Sequence, residues 1–334
     1  MPSGLQTIML VDTHSRIHDY LRISLTDSCN LRCSYCMPNE KVQSLSSKKL
    51  MQPEEIEHIV SVFVALGVRK IRLTGGEPLV RKEADDIIRR VSKFPVNLTI
   101  TTNGVLVNKF IDQFHEAGIH SLNVSLDTLK RDKFITMTRR DNWQTVWNNI
   151  QLLVDRGFHV KLNVVAMKGI NDDEIMDFVS LTEHLPIHVR FIEFMPFEGN
   201  YWAHTSVLTA ADILQKIQVQ FPIQKLVDEK HATAKAYTIN GYKGTFAIIS
   251  TMSEPFCDGC NRLRLTADGK MKNCLFSKNE TNILAALRQG EDIIPLIKSC
   301  LHEKEAQLGG QLMPTYQLID PSQLINRSMI AIGG

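Results

Sequence analysis

YLRISLTDSCNLRCSYCM, residues 20–37, runs a strand-like segment straight into a cluster of thiols. The apolar and β-branched run at 20–26 reads as a β-strand. Cys29, Cys33 and Cys36 follow within eight residues, with three and then two residues between them. A closed thiolate metal site takes four ligands. This window holds three, so the spacing alone leaves the fourth place open.

Outward from that window the strand pattern repeats. KIRLTGG (70–76), NLTITTNG (97–104), SLNVSLD (121–127), VKLNVVAM (160–167) and HVRFIEFM (188–195) alternate with helical segments at 53–67, 84–94, 106–117, 143–156 and 172–184. The segment at 53–67 opens on proline and acids and ends on glycine, which is helix punctuation. Six strands, each followed by a helix or long loop, predict a parallel sheet with right-handed crossovers. Polar residues gather at the strands' C-terminal ends: Thr74 to Glu77, Thr101 to Asn103, Ser125 and Asp127, then Glu193 and Met195. Parallel α/β folds bind ligands at that edge. Chemistry at all six ends favours an incomplete (β/α)6 barrel with a lateral opening, over residues 1–204. The rhythm then changes. A helix at 209–217, a hairpin at 236–250 and helices near 280–289 and 292–307 make a C-terminal extension, residues 205–334.

The totals fit an ordinary globular protein. Of 334 residues, 43% are hydrophobic and 22% charged, and the net charge is +2. Bulk electrostatics therefore point to neither a nucleic acid nor a membrane, and any anion site must come from local cations. The N-terminal residues lack the basic start and long apolar core of a signal peptide. A cytoplasmic location is expected, where seven cysteines read as thiols or metal ligands rather than disulfides.

The first triad reads as core thiols, as zinc with a further ligand, or as three ligands of an iron–sulfur cluster with one iron left open for a small molecule. A second triad, Cys257, Cys260 and Cys274, again counts three. A zinc knuckle with a distant histidine and a second open cluster are its two readings. Cys300, in the helical pattern IIPLIKSCL, reads as a core thiol. Between the cysteines of the second triad, Arg262 and Arg264 alternate as on a strand and share one face. That face is either solvated or a fork for phosphate or a purine carbonyl.

CxxxCxxC with an aromatic residue before its last cysteine (Tyr35), together with LTGGEPL at 73–79, resembles the radical S-adenosylmethionine superfamily. Within it, the chain resembles the GTP 3′,8-cyclase family of molybdenum cofactor biosynthesis from about residue 16 to the terminal Gly-Gly. The segments that carry this are LRISLTDSCNLRCSYCMP, IRLTGGEPLVR, TTNG, NVSLD, NVVAMKGIND, RFIEFMPF and FCDGCNRLRLTADGKMKNCLF. The resemblance implies two four-iron clusters, each on three cysteines: one on Cys29, Cys33 and Cys36, the other on Cys257, Cys260 and Cys274. It implies an S-adenosylmethionine site lined by Tyr35, Gly76, Ser125 and Met195, with the Glu77 carboxylate free to accept from the amino group. It assigns GTP contacts to Arg22, Arg72, Thr101, Lys161, Arg262, Leu263 and Arg264, with Arg262, Arg264, Gly333 and Gly334 taking part in catalysis. The implied reaction removes hydrogen from C3′ of GTP, joins C3′ to C8 of guanine, and ends with one electron and one proton. An external one-electron reductant and the cyclic pyranopterin monophosphate synthase are the implied partners, and the chain is expected as a monomer or homodimer. Two other readings stand beside this: a different radical enzyme with an auxiliary cluster, such as a peptide-modifying one, and a non-catalytic iron–sulfur redox protein. A redox carrier would fill all four ligand places with protein.

Overall fold

The structure is a computed structural model that describes residues 9–37, 44–313 and 315–333. The six expected strands are β1 (Tyr20–Ser24), β2 (Lys70–Thr74), β3 (Asn97–Thr102), β4 (Ser121–Ser125), β5 (His159–Ala166) and β6 (His188–Glu193). They lie side by side in chain order, each parallel to the next. Parallel neighbours need a crossover. It is supplied by α1 (Pro53–Ala65), α2 (Ala84–Val91), α3 (Val107–Glu116), α4 (Arg131–Thr138), α5 (Trp143–Asp155) and α6 (Ile175–His184). The sequence pattern misses α4, whose buried residues are only Phe134, Met137 and Thr138.

The C-terminal region does not stand apart from this sheet. It contains α7 (Ala210–Gln218), β7 (Ile223–Lys225), β8 (Lys235–Ile239), β9 (Thr245–Ile249), β10 (Arg262–Leu265), β11 (Lys270–Lys272), β12 (Thr281–Asn282), α8 (Ile283–Arg288), α9 (Ile294–His302) and α10 (Met329–Ile332). The expected hairpin is β8–β9, antiparallel, and β9 also pairs in parallel with β6. At the other edge β10 pairs in parallel with β1. The parallel run is therefore eight strands long, not six, inside a twelve-stranded sheet ordered β12-β11-β10-β1-β2-β3-β4-β5-β6-β9-β8-β7. The helix expected over 292–307 is shorter, at Ile294–His302.

Each strand's two faces differ. Leu21, Ile23, Ile71, Leu73, Leu122, Val124, Val189 and Phe191 are buried in one core with Phe63, Ile87, Phe114 and Phe178 from the helices. Burying each such side chain contributes roughly 1.5–3 kcal/mol before the entropy of ordering it is subtracted. The residues between them are Arg22, Arg72, Asn123, Lys161 and Arg190, which line a cavity. A closed parallel barrel usually packs its interior with branched apolar side chains. Here the interior positions are polar and cationic, so the inner face holds a chamber. Among the described residues, no helix is long and apolar enough to cross a membrane.

Candidate active site

Strand register builds the chamber. Arg22 lies level with Arg72 on one side and Arg264 on the other, and Asn163 lies level with Arg190. These positions share the inner face because side chains two apart on a strand point the same way. The result is a cavity of about 610 Å³ lined by Arg22, Arg72, Lys161, Arg262 and Arg264, together with Met195, Cys257, Cys260 and Cys274. Lys70, Arg190, His159 and His188 line it too. The sequence reading passed over them, although the same two-residue alternation could have flagged Lys70 and Arg190.

Burial in this enclosed space, with like charge adding, depresses several of its cations. Burial lowers Arg22 and Arg190 to about 9, Lys161 to about 8 and Arg264 to about 10, with neighbouring arginines adding to the effect. His188 falls to about 3 through burial, Arg190 and Lys161, so it is neutral at physiological pH. Arg72 donates from Nε to the Tyr20 hydroxyl and from Nη1 to Thr101 Oγ1 at 3.4 Å. Arg190 donates to Asn163 Oδ1 at 2.6 Å, while its buried Nε has no hydrogen-bond partner. A chamber of this kind fits a small polyanion.

The chamber runs from the strand ends, where Met195 lines it, down into the sheet. Tyr20, Arg22, Lys70, Arg72 and Lys161 come from the N-terminal or middle part of their strands. The first thiol triad occupies the C-terminal ends instead. Its loop is folded back by Cys36 N–H and Met37 N–H, both donating to Cys33 O at 3.0 and 2.8 Å. Arg32 N–H and Ser34 N–H donate to Thr138 and Met137 carbonyls, so α4 anchors the loop. Tyr35 donates its hydroxyl to Asp127 Oδ2 at 2.5 Å. Ser125 ends β4 two residues before Asp127; neither Tyr35, Gly76 nor Ser125 lines the lower chamber.

The GGEP segment also packs against this loop. Gly76 N–H donates to Thr26 O at 2.7 Å, and a Cβ on Gly76 would sit 2.6 Å from Ser28 O. The glycine thus admits the base of the thiol loop, which no other residue type would allow. Glu77 is buried, and its carboxylate accepts from Leu79 N at 3.1 Å, Thr102 Oγ1 at 2.8 Å and Asn103 N at 2.6 Å. It ties the end of β2 to the end of β3. Burial raises it to about 7 against the pull of those donors.

The second triad is assembled from two segments on either side of β10. Arg16 braces it, donating to the Cys257 carbonyl at 3.1 Å, to Ala306 O at 2.7 Å and to Glu305 O at 2.9 Å. Asp12 fixes that guanidinium through a 2.6 Å bond to Nε, and also bonds His18. Burial would raise Cys260, but Lys304 and Arg262 outweigh it and pull the thiol down. In the first triad nothing outweighs burial: Cys29 rises to about 11, with Glu77 adding, and Cys33 and Cys36 rise further, with Asp127 adding.

All six cysteines are free and partly exposed, whereas Cys300 is buried in the core as expected. Among the described residues, no group of three His, Cys, Asp or Glu side chains is arranged to hold a metal ion. The donor chemistry nevertheless suits soft-metal clusters. Each triad offers three thiols, and each has an N–H donor to sulfur: Asn103 Nδ2 to Cys29 at 3.6 Å, and Leu308 N to Cys257 at 3.4 Å.

The chain's end reaches the strand ends. Arg264 donates to Gly333 O at 2.7 Å. Gly333 has φ 87°, and a Cβ there would meet Thr74 Oγ1 at 2.6 Å and Ser24 Cβ at 2.9 Å. Only glycine combines that backbone with that space. Gly334 lies outside the described residues. Of the expected GTP contacts, Thr101 reaches the chamber through Arg72, and Leu263 does not face it. The Leu263 side chain is fully buried in the outer core, so only its main chain can serve.

This arrangement of a parallel α/β sheet with a three-thiol loop after its first strand is that of the Radical SAM superfamily, whose family model matches residues 23–182. The model described as Molybdenum Cofactor Synthesis C matches residues 187–309. The chain is 45% identical over 333 residues to "GTP 3′,8-cyclase, mitochondrial" of Arabidopsis thaliana, covering 98% of this chain and 84% of that one. It is 43% identical to "Molybdenum cofactor biosynthesis protein 1" of Dictyostelium discoideum, where it spans 97% of its own length and about half, 52%, of the relative's. In fold it resembles SuiB of Streptococcus suis bound to S-adenosylmethionine, with TM-score 0.60 and 16% identity over 87% of this chain and 70% of that one. The chain belongs to the GTP 3′,8-cyclase family within the radical S-adenosylmethionine superfamily.

Proposed function

We propose that this chain converts GTP to 3′,8-cyclo-7,8-dihydro-GTP, the opening step of molybdenum cofactor biosynthesis. The observation that carries the reading is a single chamber in which Arg22, Arg72, Lys161, Arg262 and Arg264 meet Cys257, Cys260 and Cys274. Its volume, about 610 Å³, lies within the roughly 300–1,000 Å³ of small-molecule sites.

Residues 1–204 form the partial barrel that holds the first four-iron cluster on Cys29, Cys33 and Cys36. Residues 205–334 form the extension that holds a second on Cys257, Cys260 and Cys274. With S-adenosylmethionine bound among Tyr35, Gly76, Ser125 and Met195, the first cluster supplies the electron that generates a hydrogen-abstracting radical. Arg22, Arg72 and Lys161 hold the triphosphate by charge-assisted bonds, with Thr101 steadying Arg72. Arg262, Arg264 and the intervening Leu263 main chain meet the purine. Gly333 narrows the space between radical source and nucleotide, Gly334 is assigned to catalysis with it, and the enclosing walls keep water from the reacting carbons. An external one-electron reductant feeds the reaction. The product passes to a cyclic pyranopterin monophosphate synthase. The chain acts as a monomer or homodimer in the cytoplasm, with neither nucleic acid nor membrane as partner.

The test is anaerobic reconstitution with dithionite, S-adenosylmethionine and GTP, read by mass spectrometry. The cyclic nucleotide together with 5′-deoxyadenosine supports the reading. 5′-Deoxyadenosine with GTP unchanged points to a different radical enzyme, and neither product points to a redox protein.

A further inference from the structure

The chamber's cations have mostly neutral partners. Thr101 serves Arg72, the Asn163 amide oxygen serves Arg190, the His231 carbonyl serves Arg262 and the Gly333 carbonyl serves Arg264. Burying like charges without an anion is costly. Tyr20 is the ionisable oxygen built into the sheet beside them. It is buried, its hydroxyl accepts from Arg72 Nε, and Lys70 Nζ lies 5.0 Å from its ring centroid.

We infer that Tyr20 is the built-in counter-anion of the arginine chamber, and that an incoming polyphosphate takes over this role, so that binding returns a proton to the phenol. The inference rests on the reading that a nucleoside triphosphate enters this chamber. The groups facing Tyr20 are Arg22 on its own strand, Lys70 and Arg72 from β2, Arg262 and Arg264 from β10, and Arg190 from across the chamber. Glu229, on the loop before β8, offsets Lys70 and Lys161, and Asp228 beside it also lines the chamber. Burial raises the phenol, but Arg72 and Arg22 outweigh it and bring it to about 7. A bound triphosphate cancels that field, and the phenol moves back toward its ordinary value of about 10. Protons are then bound with the anion, so affinity falls as pH rises above about 7. Lys161 and the arginines contribute a further share, which a change at Tyr20 leaves in place.

The experiment is calorimetric titration of GTP into the anaerobically reconstituted protein and its Tyr20→Phe variant, in two buffers of different ionisation enthalpy, at about pH 6.5 and about pH 8.5. Wild type should take up about a quarter of a proton more per GTP than the variant at about pH 6.5 and about nine-tenths more at about pH 8.5. The ratio of variant to wild-type affinity should rise about twentyfold from the lower pH to the higher. A role confined to positioning Arg72 would weaken binding equally at both. Equal proton counts and parallel pH profiles would overturn the inference, and the wild-type count bears on it even if the variant folds poorly: no uptake also overturns it. Inorganic tripolyphosphate is titrated alongside. If it shows the linkage and GTP does not bind, the GTP reading fails and Tyr20 stands; if neither anion binds, the counter-anion role fails.

Discussion

The two thiol triads look alike in sequence and sit in opposite surroundings. Cys29, Cys33 and Cys36 share one short loop pinned between β1 and α4, beside the buried carboxylates Glu77 and Asp127. Cys257, Cys260 and Cys274 come from two segments and stand among Arg16, Arg262 and Lys304. The difference teaches a division of labour by charge. The chamber's cations adjoin the second triad, so a polyanion is favoured on that side.

Replacing triads gives the largest break in that comparison. Changing Cys29, Cys33 and Cys36 together to Ala should abolish 5′-deoxyadenosine formation. Changing Cys257, Cys260 and Cys274 should leave that reaction in place while ending conversion of GTP. Iron analysis after reconstitution should fall from about eight atoms per chain to about four in either case. Iron unchanged by loss of the second triad would remove the symmetry between the sites.

Arg264→Ala comes next, since it removes both a chamber cation and the hydrogen bond to Gly333 O. Losing a charge-assisted bond to a buried anion costs roughly 2–5 kcal/mol, so GTP turnover should fall by about thirtyfold or more. Cleavage of S-adenosylmethionine without GTP should stay within about twofold. Parallel loss of both activities would mean that the variant has lost its fold. Deleting Gly333 and Gly334 should likewise stop GTP conversion and spare the iron content. Gly333→Ala should cost about tenfold, because its Cβ has Thr74 and Ser24 in the way. A full-rate deletion variant would return the tail to a passive role.

The smallest effect tests the cationic side through stability. His188 is held neutral at about 3, against an unfolded value near 6.5. The unfolded chain therefore binds more protons between these values, so His188's contribution is present above about pH 6.5 and is lost as pH falls toward 3. Thermal melts of His188→Gln should lose less stability over that range than wild type, by on the order of 1–3 kcal/mol. Identical acid sensitivity would assign the lability to other groups.

Much of this was legible in the chain. Strand-forming runs, both triads and the shared face of Arg262 and Arg264 are local patterns, and local patterns survive in sequence. What escaped depends on distance. Arg190 and Lys70 follow the same alternation, but that their face encloses a chamber depends on the register of neighbouring strands. Glu77's tie to β3, through Asn103 N–H and Thr102 Oγ1, joins residues 25 and 26 positions apart and so was not visible locally. Helix α4 hides because few apolar residues mark its inner face. The depth of the chamber escaped too, since residue types at strand ends say nothing about which half of the sheet encloses space.

The flanking of β1 by β10 and of β6 by β9 also bears on how the chain is made. Asn261, next to β10, bonds Asp19, which lies 242 residues earlier. On the ribosome, β1 through β6 emerge with both borders of their sheet unprotected, and exposed strand borders invite pairing with other chains. Protection arrives only when the segment around 245–265 is synthesised, and the long loop it closes makes that step slow. A chain cut after β6 would keep most of its apolar core and lose both its guards, so aggregation, rather than unfolding, is the expected fate of the shortened product.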